Sequence, residues 1–198
     1  MKVVHVIEAL GGGVYTYFKD LSYYFGDDEI TNKLSTTIIY SGNRKEIDPK
    51  KIESEFSKGV SLIKVDMVRE FSPIQDFKSI LHLRKELKKI NSDVIHLHSS
   101  KAGVLGRIAC FLLFKRKKIF YTPHGYSFLR TDISNFTKKV YWFIEKSFQQ
   151  LFGGITIACG DTEYEISQKI GKSYLIRNGI NIEEIQGHQL FHQNTKLT

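Results

Sequence analysis

Seven short runs of apolar and β-branched residues recur along the chain, separated by longer segments of helical period, and this alternation constrains the fold more than any other feature. The runs are VVHVI (3–7), STTIIY (35–40), SLIKV (61–65), DVIHLH (93–98), KIFYT (118–122), ITIAC (155–159) and SYLIR (173–177). Several are almost continuously apolar, as strands covered on both faces are. Between them, Val14, Phe18, Leu21, Tyr24 and Phe25 recur three and four apart, as do Phe77, Ile80, Leu81, Leu87 and Ile90. The pattern predicts an α/β fold, a Rossmann-like three-layer sandwich with a mostly parallel sheet of about seven strands.

One helix announces its start: Ser72 is the expected N-cap, Pro73 opens the first turn and Gln75 is the capping-box partner. Further helices are expected over 101–114 and 135–152, the second carrying Val140, Phe143, Ile144, Phe148 and Leu151 on one side. The polar stretch 41–59 reads as a loop with a short helix, and 187–198 loses periodicity and reads as a linker. The expected division is one domain over 1–186 followed by that linker.

Composition narrows the function classes. A hydrophobic fraction of 41% over 198 residues, with 14 Phe and 10 Tyr, is enough to bury a core and excludes a largely disordered chain. The longest apolar run, IACFLLF (108–114), is about a third of what a membrane-spanning helix requires. The N-terminal apolar run is too short for a signal-peptide core, and Cys110 and Cys159, each in apolar surroundings, are expected as reduced core thiols, which favours a cytoplasmic protein. The net charge of +8 includes Lys115, Arg116, Lys117 and Lys118 in succession, suited to an anionic membrane surface, to an acidic ligand, or simply to a solvated loop. No nucleic-acid reader motif accompanies the charge, and nucleic acid is not expected as a partner.

Gly11, Gly12 and Gly13 fall in the turn between the first strand and the first helix, a natural anion site in a parallel α/β sheet. The dinucleotide pattern fails because Thr16 stands at its third glycine and no acid ends the second strand; the P-loop fails because its Gly-Lys-Ser/Thr ending is absent. Other strand ends supply His96, His98, Ser99, Ser100 and Lys101, then His124 and Tyr126, then Gly160 and Asp161, then RNGIN at 177–181. His96 and His98 share a strand face, yet neither a cysteine pair nor an evident third ligand with metal spacing accompanies them, so no metal is expected. His124, between Pro123 and Gly125, is either a loop imidazole aimed at a ligand or a hydrogen-bonded structural residue.

Taken together, VVHVIEALGGGVYTYFKDLSYYF, DVIHLHSSKAGVLGRIAC, FYTPHGYSF and YLIRNGINIEEI resemble the N-terminal half of bacterial GT-B glycosyltransferases of family 4, especially those of capsular or lipopolysaccharide assembly. The resemblance implies two Rossmann-like domains facing across a cleft, this one binding the acceptor and a C-terminal one gripping a nucleotide-sugar donor; NTKLT resembles the start of that second domain's first strand. It implies that Gly12 and Gly13 approach the donor diphosphate, that His124 lies beside the reacting sugar, and that His98, Ser99, Ser100, Lys101 and Tyr126 serve the acceptor. Asn178 and Gly179 match the inter-domain hinge.

The implied reaction is transfer with retention, the leaving phosphate helping to deprotonate the acceptor hydroxyl while His124 orients the sugar and is not the general base. No resident cofactor is implied. The partners implied are a glycan or polyprenyl-linked acceptor, a nucleotide-sugar donor and an anionic membrane on whose inner face the protein docks. On this reading the 198 residues alone transfer no sugar. The alternative is a non-catalytic membrane-docking and acceptor-binding subunit that works with a separate donor-binding chain.

Overall fold

The computed structural model describes residues 1–8, 10–43, 48–113 and 118–179. All seven expected strands form: β1 (Lys2–Ile7), β2 (Ser35–Tyr40), β3 (Ser61–Lys64), β4 (Val94–His98), β5 (Ile119–Thr122), β6 (Ile155–Ala158) and β7 (Ser173–Leu175). They build one parallel sheet of order β3-β2-β1-β4-β5-β6-β7. Helices α1 (Gly12–Phe25), α2 (Asp28–Thr31), α3 (Pro49–Glu55), α4 (Pro73–Ile90), α5 (Ser100–Phe111), α6 (Asn135–Phe152) and α7 (Asp161–Ile170) fill the connections.

Period-two alternation sends neighbouring side chains to opposite faces, and each face has its own core. Ile7, Ile38 and Tyr40 pack with Phe18 of α1 and Ile52 of α3. Val4, Val6, Ile39 and Leu97 pack with Leu83 and Leu87 of α4, Leu105 of α5 and Ile170 of α7. The result is a Rossmann-like three-layer α/β sandwich. The chain leaves β1 outward to β2 and β3, then returns to β4 beside β1; the crevice beyond the carboxyl ends at this reversal is where such sheets bind ligands.

Two helices turn differently from the expectation. On α6, Val140, Phe143 and Leu151 are exposed, Ile144 and Phe148 are half-buried, and the polar Glu145 and Gln149 are the residues inside. The reason lies on α5, where Arg107 has no solvent exposure. Its guanidinium donates to Gln149 Oε1 at 2.5 Å and lies 4.2 Å from the centre of the Tyr121 ring, while the Tyr121 hydroxyl donates to Glu145 Oε1 at 2.8 Å. A buried charge must be paired, so α6 presents its polar residues inward and its apolar ones to solvent.

On α4, Phe77 and Leu81 are exposed while Leu83 and Leu87 are buried and Ile80 and Ile90 half-buried. Two polar residues are drawn inside, Ser79 and Asp76, and Asp76 accepts from Lys101 Nζ at 2.7 Å and from the backbone N–H of Ser72 at 3.3 Å. Asp76 therefore closes the start of this helix in place of Gln75, and the Ser72 side chain makes no capping bond. The expected loop at 41–59 does contain a short helix, α3, whose N-cap Asp48 accepts from Lys50 N–H. Lys115 to Lys117 of the basic cluster, and the linker 187–198, lie outside the described residues.

Candidate active site

Beyond β1 the backbone reaches Gly11 in an extended conformation, passes through the left-handed region at Gly12 (φ 55°), and enters α1. The first turn of α1 has no acidic residue and no side-chain cap, so its leading N–H groups and the positive end of the helix dipole stay available to an anion. A Cβ built on Gly12 or Gly13 would meet nothing within 4 Å. Packing does not require these positions to be bare. Only Gly12 needs glycine for its backbone angle; Gly13 has an ordinary one and open space beside it.

A cleft of about 620 Å³ faces this loop. Gly11, Gly13 and Tyr17 form one wall; His124, Gly125 and Leu129 another; Gly160 to Glu163 and Asn178 complete it. His124 also lies in the left-handed region (φ 52°), followed by Gly125 (φ 91°). A strained non-glycine residue persists only where its surroundings over-determine it. Here the Glu163 carboxylate fixes the turn, accepting from Gly125 N–H and Cys159 N–H, each at 2.8 Å. The other acid, Asp161, accepts from Arg177 at 2.6 and 2.9 Å.

Among the residues expected at the site, Gly13, His124 and Asn178 line the cleft together, with Gly12 and Gly179 adjoining them in sequence. Residues following β4 lie behind it. His98 is buried, and the Ser99 N–H donates to Thr122 O at 3.0 Å. Lys101 is spent on Asp76, and Tyr126 is buried in a stack on Phe128. Cys110 is a core thiol in no disulfide; Cys159, likewise in none, lies at the cleft and not in the core, and burial followed by the nearby Glu163 pushes it up to about 11.

Behind His124 the sheet brings together a histidine cluster. The register sets His5 opposite His96 and Ile7 opposite His98. His5 Nδ1 lies 3.1 Å from His98 Nε2, His98 Nδ1 lies 3.0 Å from His124 Nε2, and His96 Nε2 lies 2.8 Å from Thr122 Oγ1. Burial holds His5 and His124 down at about 4, and burial together with the neighbouring imidazoles holds His96 and His98 well below the ordinary histidine range. All four rings are neutral near pH 7. β1 thus supplies the third imidazole that was not evident from spacing: His5, His96 and His98 are the one group among the described residues whose ligand atoms, within 4.8 Å of one another, could meet a metal ion. No carboxylate belongs to that group, and two of its nitrogens already face each other across a hydrogen bond.

Sequence reasoning missed His5, Tyr17 and Glu163. Glu163 carried a signal: it stands three residues after the N-cap Gly160, where an acid reaches back to the preceding N–H groups. His5 had none, because its partners depend on which strand lies beside β1.

A seven-stranded parallel sheet with an open glycine turn and a strained His-Gly turn across one cleft is the fold of one half of a GT-B glycosyltransferase. The family model described as Glycosyltransferase Family 4 matches residues 11–184, and the chain belongs to this family. It is 34% identical over 151 residues to an uncharacterized 41.2 kDa protein of the cps region of Klebsiella pneumoniae, covering 74% of this chain and 37% of that protein. It is 42% identical over 79 residues to an Escherichia coli UDP-Gal:alpha-D-GlcNAc-diphosphoundecaprenol alpha-1,3-galactosyltransferase, covering 40% of this chain and 20% of that one. Among solved structures, the lipopolysaccharide outer core galactosyltransferase WaaB superposes with a TM-score of 0.64 at 16% identity, over 92% of this chain and 47% of WaaB. The chain spans well under two thirds of the length of these relatives.

Proposed function

We propose that this chain is the acceptor-side domain of a retaining glycosyltransferase of surface-polysaccharide assembly, and that its cleft closes onto a nucleotide sugar held by a second, C-terminal domain. The observation that carries this reading is the cleft that joins Gly13, His124 and Asn178 at the carboxyl ends of three different strands. The N–H groups opening α1 receive the donor diphosphate, and His124 orients the sugar and stabilises charge developing in the transition state. A neutral imidazole held well below its usual range suits that role better than a general base does. Residues 1–186 form the domain, Asn178 and Gly179 the hinge, and 187–198 the link onward. The Escherichia coli relative's name points to a UDP-sugar donor and an acceptor sugar on a polyprenyl diphosphate. The acceptor side belongs to the same edge of the sheet, with Ser99, Ser100 and Lys101 behind the cleft supporting it.

A lipid-linked acceptor places the protein at a membrane, and α6 supplies the surface. No helix among the described residues is long and apolar enough to cross a bilayer. The outer side of α6 shows Phe136 at 77%, Phe143 at 66% and Leu151 at 66% exposure, with Lys139 and Lys146 beside them and its single acid, Glu145, buried. An apolar strip flanked by lysines fits an anionic bilayer surface.

The test of the transfer reading is a two-domain version of the enzyme with donor and lipid-linked acceptor. His124→Ala should lower its turnover by on the order of 10²-fold, and near-normal turnover would remove His124 from the site. Transfer by the 198 residues alone would overturn the division of labour. For the membrane face, sedimentation with anionic vesicles should drop when Phe143 and Leu151 are both changed to Ser; unchanged binding, or equal binding to neutral vesicles, would refute it. Strong vesicle binding with no transfer from the two-domain protein would favour the docking-subunit alternative.

A further inference from the structure

The two contacts that link His5, His98 and His124 carry a restriction that none of the three rings has alone. Each neutral imidazole bears one N–H. Between His5 Nδ1 and His98 Nε2 one nitrogen must hold the proton and the other a lone pair, and the same is true of His98 Nδ1 and His124 Nε2. With both bonds made, a proton on His5 Nδ1 leaves His98 Nε2 bare, puts the His98 proton on Nδ1, leaves His124 Nε2 bare and puts the His124 proton on Nδ1. The opposite start gives the opposite result throughout. The three rings are therefore all Nδ1–H or all Nε2–H, and mixed states break a buried hydrogen bond.

The two ends of the relay choose between these states. At the inner end, His5 Nε2 is buried with no hydrogen-bond partner, in a ring that stacks on Phe25 and meets the edge of Phe18. The Nε2–H set leaves an unsatisfied N–H there, and the Nδ1–H set leaves only an unused lone pair; orphaned buried N–H groups are the rarer defect in folded proteins. At the outer end, His124 Nδ1 is the nitrogen not engaged by His98, and the ring lines the cleft. An N–H on that nitrogen matches the oxygen-rich donor. Thr122 Oγ1 occupies His96 Nε2, which leaves the fourth ring outside the relay.

We propose that His98, backed by His5, is a positioning residue that holds His124 as its Nδ1–H tautomer, so that the cleft meets a hydrogen-bond donor at this ring and not a base. The catalytic use of that donor rests on the placement of His124 beside the sugar proposed above; the tautomer does not. Burial of the rings, which keeps them uncharged near neutral pH, supports the one-proton-per-ring count.

The test is nitrogen-15 NMR of the chain labelled at its seven histidines, at neutral pH, with the lines assigned by single substitutions. His5, His98 and His124 should each show a protonated Nδ1 and a bare Nε2, with scalar coupling across both N–H···N contacts. A proton on His124 Nε2, or different tautomers among the three rings, would overturn the proposal. So would saturable loss of these signals on adding micromolar zinc chloride, because a metal on the same nitrogens breaks the first contact. In His98→Asp the carboxylate can only accept, so His124 should gain a proton on Nε2; an unmoved His124 would overturn the positioning role. The wild-type spectrum decides the tautomer if that variant does not fold. Loss of transfer in a two-domain His124→Ala enzyme tests the site, and its outcome leaves the tautomer measurement unaffected.

Discussion

Removing Arg107 should cost more stability than any truncation of an exposed residue. The side chain has no solvent exposure; besides Gln149 it reaches Gly153 O at 3.3 Å and Gly103 O at 3.4 Å, and it stacks on Tyr121. Arg107→Ala strands Gln149 Oε1 without its donor, leaves Glu145 buried without its cation, and opens a void between α5 and α6. Breaking a buried charged set by removing one partner costs about 3–5 kcal/mol. For a domain of this size that corresponds to a fall in Tm of roughly 6–20 °C.

The pH dependence has a definite sign. Burial pushes the Glu145 carboxyl up against the opposing pull of Ser100, Arg107 and Tyr121, so the folded chain holds this proton more tightly than the unfolded one. Stability from such a group is present at low pH and is lost as pH rises through the folded value. Without Arg107 the folded value climbs further, and the deficit of Arg107→Ala should widen from about pH 5 to about pH 8. Urea unfolding followed by circular dichroism at both pH values measures this. A deficit under about 1 kcal/mol, or one that narrows as pH rises, would refute the account of why α6 is turned outward.

Three further outcomes follow from the geometry. His5, held at about 4 against an ordinary value of 6.5, should make stability fall as pH drops between those values, because the unfolded chain takes the proton first. The loss from His5 alone is about 3 kcal/mol, and His5→Phe should flatten that part of the urea-unfolding profile. Gly13→Ala, with open space at its Cβ and an ordinary backbone angle, should leave the melting temperature unchanged or slightly higher yet cut transfer by the two-domain enzyme on the order of tenfold or more, as obstruction of a phosphate contact does. Gly106→Ala should cost about 1–3 kcal/mol in the same unfolding assay, because its Cβ would collide with the buried Leu97 side chain.

The strands were legible because a parallel strand covered on both faces is apolar in its own letters, and β4 or β6 needs no knowledge of its neighbours to be recognised. The orientation of α4 and α6 was not. Periodicity says which residues share a side of a helix, and Phe143 does share one with Val140 and Leu151; which side goes inward was decided by Arg107 and Lys101, charged residues on α5 whose partners lie 42 and 25 positions away. The cleft was legible in the same uneven way. Gly13, His124 and Asn178 could be placed from their strand ends, whereas His98 and Lys101 follow a strand end just as closely and are occupied behind it. The His5–His98 contact depends on the return of β4 to the side of β1, a property of topology that no local stretch records.

The charges around the cleft lead to one more expectation. Its lining holds two carboxylates, Asp161 and Glu163, and no Lys or Arg among the described residues; Arg177 is engaged by Asp161, and His124 is neutral. A diphosphate entering here meets no cationic side chain, only neutral donors such as His124, Thr162 and Asn178 and the backbone N–H groups of the α1 turn, whose helix dipole adds an attraction of about 0.3–1 kcal/mol where water still reaches the site. Holding a ligand at millimolar concentration requires about 4 kcal/mol. The cations that neutralise the diphosphate must therefore come from elsewhere, as they do if a second domain carries the donor to this loop. Isothermal titration of the 198-residue chain with UDP or a UDP-sugar should accordingly show no saturation in the low millimolar range. Micromolar binding to the chain alone would mean that the α1 turn is a complete phosphate site, and the two-domain reading of the cleft would fail.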